Sequence, residues 1–432
     1  MKILLVGGGG REHAMARKLF ESARKPELHF APGNPGFHNL GRLHAVKADD
    51  VDGLVRLASE LAVDFVLVGP EIPLALGLVD RLDEAGIPSV GPTRAAARIE
   101  SSKAFSKDLM ARHGIPTAAH LTFTELEPLL AHLSECPVPV VVKASGLAAG
   151  KGAVVCMDRE EALEAARSML GEGRQFGEAG DEVVVEEFMQ GEEISVFALC
   201  DGSHYVLLPS AQDHKRIGDG DTGPNTGGMG AYSPAPRGTP QVLATVCQTV
   251  IEPTLRAMEL EGCPFRGFLY AGLMLTKTGP KVVEFNCRMG DPETQVVFPV
   301  LEADLVDLCL AAVEGRLGEI HIPAPRRHAA VVVMASEGYP ASSPKGRPIT
   351  GLLEAGALEN VSVFHAGTAM DDKGRVVTNG GRVLGVAGVG DTLQDAVDLA
   401  YQAVDRISFQ GAQYRKDIAQ KGLAAWNEIV PA

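Results

Sequence analysis

The run Val282-Val283-Glu284-Phe285-Asn286-Cys287-Arg288-Met289-Gly290-Asp291-Pro292-Glu293 constrains this chain more than any other stretch of it. Its apolar start predicts a strand, in which side chains two apart share a face. Glu284 and Asn286 therefore point the same way, and their oxygens suit a hard cation such as Mg²⁺ held against nucleotide phosphates. Beyond them come Arg288, the flexible Gly290, the carboxylates Asp291 and Glu293, and Pro292, which stiffens the turn. Charge at that density is costly to bury for packing alone. The plainer alternative is a hairpin strand that runs into a polar loop. Cys287 alternates away from Glu284 and Asn286 and reads as a packing residue.

A chain of 432 residues exceeds one compact core, and the expected fold class is a multidomain mixture of α/β and α+β units. Residues 1–100 alternate strands (3–6, 65–68, 87–90) with helices (11–20, 51–61, 73–85), as an open α/β sheet with ligand loops at its strand ends would. Residues 101–122 and 191–327 read as a central unit, with a helix begun at 101–103, strands at 193–199, 204–208, 267–275 and 281–286, and helices near 240–258 and 295–314. Between them, 123–190 reads as a small inserted α+β unit. Residues 328–432 form a carboxy-terminal α+β unit, with strands at 329–334, 361–368, 375–377 and 383–389 and a helix at 392–407.

The formal charge of −15 argues against nonspecific nucleic-acid binding, while leaving room for a small anionic substrate met by local cations and helix N-termini. Seven cysteines without CxxC spacing suggest free thiols in a reducing compartment. The first residues form a strand rather than a signal peptide, and no apolar stretch has bilayer length. A cytoplasmic protein without membrane contact is expected.

Many of the 49 glycines sit in clusters after apolar runs. Gly7-Gly8-Gly9-Gly10 precedes a helix beginning Arg11-Glu12-His13, where backbone N–H groups can approach an anion, or where the chain simply turns tightly. Glu12 departs from the GxGxxG dinucleotide pattern. Gly33-Asn34-Pro35-Gly36 and Gly69-Pro70-Glu71 are further anion-loop candidates for the same crevice. Lys143 ends an apolar strand, and Lys151 sits between glycines in a loop able to close over a transferring group. The GxxxxGK[ST] pattern is absent. Glu186-Glu187-Phe188-Met189-Gln190-Gly191-Glu192-Glu193 fits a hinge connector that recognises adenine through its backbone while an acid accepts ribose hydroxyls; an acidic surface turn is the alternative. Asp213 can hold an ammonium, and Lys215 or Arg216 a carboxylate or phosphate. His214 adjoins Asp213, but adjacency in sequence supplies no dyad geometry, and neither a serine or cysteine nucleophile signature nor a zinc motif is present.

These segments, in this order, resemble the phosphoribosylamine–glycine ligase (glycinamide ribonucleotide synthetase) family of the ATP-grasp superfamily. The resemblance runs through Gly7–His13, Gln212–Arg216, Gly223–Gly230, Asn286–Glu293, His365–Thr368 and Thr378–Leu384, essentially the full chain. It implies an ATP-grasp fold in which 123–190 is the lid. It also implies that Lys103 and Lys143 contact ATP phosphates, and that Glu186, Phe188 and Glu193 form the adenosine pocket, with Glu193 the ribose acceptor. Glu284 and Asn286 match the family's Mg²⁺ positions, with Mn²⁺ able to substitute. Many ATP-grasp relatives carry an earlier acidic ligand, whereas 269–275 here holds none.

The implied reaction joins glycine to 5-phospho-β-D-ribosylamine as ATP becomes ADP and phosphate. Glycine's carboxylate attacks the γ-phosphoryl group, and the ribosylamine nitrogen then attacks glycyl phosphate. On this reading Lys143 and Arg288 offset phosphoryl charge, Asp213 holds or deprotonates an amine, and the protein supplies no nucleophile. The sugar phosphate falls to Gly8, Gly9, Gly10, Gly33, Asn34, Gly36, Gly69, Pro70 and Glu71, with Asp213, Lys215, Arg216, Arg288 and Asp291 completing the substrate site. A monomer is expected, with transient contact to neighbouring purine-pathway enzymes. Other readings are another ATP-grasp ligase, a noncatalytic nucleotide-binding scaffold, or a Rossmann dehydrogenase that would leave the later motifs unused.

Overall fold

The computed structural model describes residues 1–148, 152–171 and 177–429. The amino-terminal strands form a wholly parallel five-stranded sheet in the order Arg42–Leu43, Glu27–Pro32, Lys2–Gly7, Phe65–Val68, Ser89–Val90. Its central strands are continuously apolar because both faces are covered. Ile3 and Leu5 enter one core, and Leu4 and Val6 the other. The chain moves outward on one side of Lys2–Gly7 and then returns to the other, so the loops after Gly7 and Val68 meet where strand order reverses, the usual crevice of an open α/β sheet. The helix expected over 73–85 is two, Glu71–Ala75 and Leu78–Glu84, broken at Gly77. A further helix, Arg94–Ser101, not read from the sequence, precedes Lys103–His113, and Ser102 caps the second by accepting from the Phe105 amide at 3.1 Å.

Two four-stranded sheets follow. One has the order His120–Phe123, Val183–Glu187, Val140–Ala144, Ala153–Cys156 and packs its apolar face on helices Leu126–Glu135 and Arg159–Leu170. The other, Tyr205–Leu207, Glu192–Asp201, Arg266–Thr276, Gly279–Asn286, is antiparallel throughout. The helix near 240–258 runs from Pro240 to Leu260 through one wide turn at Cys247–Ile251, just before Pro253, which has no N–H to donate. The helix expected over 295–314 is interrupted: Thr294–Val297 ends at Pro299, and Leu305–Val313 starts anew at Asp304, which caps the Val306 amide at 2.9 Å.

Two short strands of the remaining five-stranded sheet could not be read from hydropathy. Gln212–Asp213 and Gly230–Ser233 join His328–Ala335, Arg382–Gly390 and Val361–His365 in one sheet, so two short segments from the middle of the sequence pair with its carboxy-terminal strands. The strand expected over 361–368 ends at His365, and Thr368–Met370 pairs instead with Val376–Thr378.

The amino-terminal sheet meets the central one at glycines. Gly267, with φ of +101°, lies so close to Gly91 that a Cβ would stand 2.7 Å from the Gly91 Cα. Gly267→Ala is expected to lower unfolding free energy by about 1–3 kcal/mol, through overpacking and left-handed strain together. Denaturant unfolding checks it, and an unchanged midpoint would contradict this packing.

Candidate active site

The strand Gly279–Asn286 delivers Glu284 and Asn286 to one side of a cleft of about 430 Å³. Pairing slips between Gly272 and Leu273, which places Val283 in a bulge while Glu284 stays opposite Gly272. The bulged Val283 carbonyl accepts from Lys143 Nζ at 3.2 Å. Lys143 also meets Glu186 Oε1 at 2.9 Å, and Lys107 meets the other oxygen, Oε2, at 2.9 Å. Burial raises the Glu186 carboxyl, but the two ammoniums hold it below its ordinary value. Lys103 donates to the Gly146 carbonyl at 3.1 Å, and burial lowers its pKa against the pull of Glu284. Phe188 and Glu193 line the same cleft. Lys151 lies outside the described residues.

Just past the strand, Cys287 is buried, as its alternation implied, and gives its amide to Glu100 Oε2 at 2.8 Å. Arg288 Nη2 donates to Glu100 Oε1 at 2.6 Å, and its Nε lies 3.3 Å from Glu71. Burial pushes the Glu100 carboxyl up, while Arg288 at that short distance pulls it back down. Burial also works against ionisation of Glu71, yet Arg288 and Arg11 bring it down to about 2. Glu71, expected to bind substrate directly, therefore also braces two arginines. Asp291 is held by Arg382 Nη2 at 3.1 Å and Gln295 Nε2 at 2.8 Å, and Arg382 Nη1 donates to the Asp291 carbonyl at 2.6 Å.

A third group faces these from the strand at Gln212–Asp213. Lys215 Nζ lies 3.0 Å from Asp213 Oδ1 and 2.5 Å from Glu193 Oε2. Burial would lower the lysine, but the two carboxylates hold it well above its ordinary value. The 42 % exposure of the Glu193 side chain is exposure to the cleft, so its charge remains reachable by a ligand while tied to Lys215. His214 points elsewhere: its Nε2 accepts from the Ala419 amide at 3.3 Å, and no dyad with Asp213 forms.

The amino-terminal glycines do something the sequence did not reveal. Glu12 is 2 % exposed, and its carboxylate accepts from the Gly9 amide at 2.7 Å and from Arg11 Nε at 2.6 Å. A Cβ on Gly7 would stand 2.5 Å from Glu12 Cγ, and one on Gly69 2.4 Å from it. Both glycines thus make room for a side chain, in addition to any anion. Asn34 spends its amide on the Gly8 and His365 carbonyls at 2.9 and 2.8 Å, and its oxygen on the Gly36 amide at 2.8 Å, as a brace of the loop. Gly8, Gly9, Gly10, Gly33, Asn34, Gly36, Gly69 and Pro70, expected to bind substrate, do not line the cleft; a Cβ on Gly9 would stand 3.9 Å from Oδ2 of Asp291, which does. Arg216 is not brought to the site. It donates to the Gly223 carbonyl at 2.7 Å within the hairpin of Arg216–Gly218 and Thr222–Asn225.

The phosphoribosylglycinamide synthetase N domain matches residues 1–100, its ATP-grasp (A) domain 101–294 and its C domain 329–421. The chain belongs to the phosphoribosylglycinamide synthetase family. The phosphoribosylamine–glycine ligase of Vibrio parahaemolyticus is 49% identical over 431 residues, 99% of this chain and 100% of that protein. That of Allochromatium vinosum is 51% identical, over 98% and 99%. The crystal structure of the Thermotoga maritima ligase superposes with a TM-score of 0.83 at 34% identity, covering 96% of this chain and all of that one. The biotin carboxylase domain of a Hydrogenobacter thermophilus carboxylase, with a TM-score of 0.70 at 18% identity over 96% and 91%, shares the fold.

Arg11, Glu12, Glu100, Lys107, Glu293 and Arg382 were given no site role from the sequence. Lys107 carried a signal, lying one turn from Lys103 on the same helix; Arg382 carried none, because its partners are remote in the chain. Glu293 receives Ser195 Oγ at 3.4 Å, and its carboxyl is pushed up to about 7 by burial and then by Asp213, against Lys215. A carboxyl with a raised folded pKa binds its proton more tightly in the folded state. The folded state therefore loses stability as pH rises from the ordinary value of 4.5 through about 7. Glu293→Gln is expected to remove that part of the decline and to be relatively more stable at pH 8 than at pH 5 by about 1–3 kcal/mol. Urea unfolding at both pH values tests this, and an unchanged pH dependence would contradict it.

Proposed function

We propose that one cleft activates glycine as glycyl phosphate and delivers it to the ribosylamine nitrogen. The activity is the ATP-dependent ligation of glycine to phosphoribosylamine in purine biosynthesis. What supports the two-step reading is that a single cleft is lined both by Lys103, Lys143, Glu186, Phe188, Glu193, Glu284 and Asn286 and by Glu71, Asp213, Lys215, Arg288 and Asp291. The first set suits a nucleotide and the second a small zwitterion and an anionic partner.

In this reading Phe188 and the connector to Glu193 seat adenosine, and Lys103 and Lys143 meet the phosphates. Residues 123–190 act as the lid, and 1–100 hold the sugar phosphate beside Gly8–Gly10, Gly33–Gly36 and Gly69–Glu71. Glu284 and Asn286 present an adjacent carboxylate and amide oxygen to the cleft, with no protein hydrogen bond to either side chain among the described residues. That oxygen set fits Mg²⁺, with Mn²⁺ as a substitute, and Glu284 and Asn286 would hold it. Bound there, the ion neutralises phosphate charge. Arg288, fixed by Glu71 and Glu100, orients the glycine carboxylate toward the γ-phosphoryl group as ADP leaves. Asp213, with Glu293 near it, holds the glycine ammonium. The ribosylamine nitrogen then attacks the acyl carbon, a carboxylate takes its proton, and phosphate departs. Closure excludes water from the acyl phosphate. Seven free cysteines fit a reducing cytoplasm, and no helix among the described residues is long and apolar enough to cross a membrane. We read the working unit as a monomer.

ADP release should require both glycine and freshly generated phosphoribosylamine, with each omitted in turn. Glu284→Gln and Asn286→Ala should each lower turnover by about tenfold or more while changing ATP affinity less. Near-wild-type turnover of both variants at limiting Mg²⁺ would reject these two as the metal's residues.

A further inference from the structure

Glu186 lies 2 % exposed with an ammonium on each oxygen, Lys107 and Lys143 both at 2.9 Å. Lys107 is equally buried, and its Nζ also donates to Thr117 Oγ1 at 2.7 Å. That hydroxyl donates in turn to the Val282 carbonyl at 2.7 Å, which ties Lys107 to the strand bearing Glu284. Lys143 pairs with Glu186 Oε1 by charge, donates to the Val283 carbonyl at 3.2 Å and lines the cleft. Two ammoniums and one carboxylate leave one net positive charge. Without Lys107, Glu186 and Lys143 would form a neutral pair with little field to offer an anion.

We propose that Lys107 is a positioning residue for the nucleotide phosphates: it neutralises Glu186, so that the charge of Lys143 stays uncancelled toward the cleft, a role that rests on Lys143 being a phosphate contact. Burial lowers the Lys107 ammonium to about 8 against the pull of Glu186, with Lys143 lowering it further and Glu284 raising it, so it remains charged at neutral pH. Lys103, on the same helix, turns to Gly146 and does not share this carboxylate.

Calorimetric titration of the full-length protein with ATP, and separately with adenosine, tests the role, with thermal unfolding to establish that each variant is folded. Lys107→Met should weaken ATP binding by about tenfold and leave adenosine binding unchanged, because the lost charge acts on phosphate. Lys107→Arg should retain most ATP affinity. In Lys107→Met combined with Glu186→Gln, a cation and an anion are removed together, and the ratio of ATP to adenosine affinity should return to near the wild-type value. A packing role predicts no such return. The proposal is overturned if Lys107→Met leaves the ratio unchanged or if the double variant stays depressed. Should Lys107→Met not fold, Lys107→Gln carries the same comparison. Lys143→Met separates the two layers: if it loses ATP affinity while Lys107→Met does not, only the role of Lys107 fails. If it binds ATP like the wild type, the phosphate contact of Lys143 fails and this role with it.

Discussion

Glu12, wedged between Gly7 and Gly69, anchors a chain of alternating charge on which the rest of the site depends. It meets Arg11 at 2.6 Å, Arg11 lies 3.7 Å from Glu71, Glu71 lies 3.3 Å from Arg288, and Arg288 meets Glu100 at 2.6 Å. These residues come from the start of the first helix, the start of the helix Glu71–Ala75, the helix Arg94–Ser101 and the segment just past the strand Gly279–Asn286. No pair in the chain is self-sufficient, since removing one buried charge strands its neighbour at a cost of about 3–5 kcal/mol. The chain therefore fixes the amino-terminal loops in register with the strand that carries Glu284 and Asn286.

Such register matters for the two-step ligation proposed above. An acyl phosphate made at one place must meet an amine held at another before water does, and misplacement by about 1 Å can cost about a hundredfold in rate. Arg288 stands at the junction with its guanidinium fixed by two carboxylates, while Asp291 is fixed from the opposite side by Arg382 and Gln295. The carboxy-terminal strands thus reach the site through Arg382, which also takes the Gly227 carbonyl at 2.5 Å.

The sequence made legible what is periodic or local. The alternation of Glu284, Asn286 and Cys287, the apolar parallel strands, Lys143 at the end of its strand, and most helix and strand positions followed from spacing of two or 3.6 residues. Contacts between remote segments were not legible. Nothing local to Gln212–Asp213 and Gly230–Ser233 announces that they pair into the carboxy-terminal sheet, and nothing near Arg382 points to Asp291. Glycine was read for the approach of an anion, whereas Gly7 and Gly69 also admit Glu12; the backbone requirement was visible and its occupant was not. Helix ends slipped where a proline or a capping aspartate, as at Pro299 and Asp304, divides an otherwise apolar run.

In the proposed function, this arrangement serves transfer of the phosphoryl group to the glycine carboxylate. Turnover of glycine labelled with ¹⁸O in its carboxyl group, with ATP and phosphoribosylamine unlabelled, measures it directly through the mass of the released phosphate. One labelled oxygen per phosphate is the expected result, because the carboxylate oxygen that attacks phosphorus leaves with it. Phosphate released without label, at full yield of product, would contradict activation of glycine in this cleft.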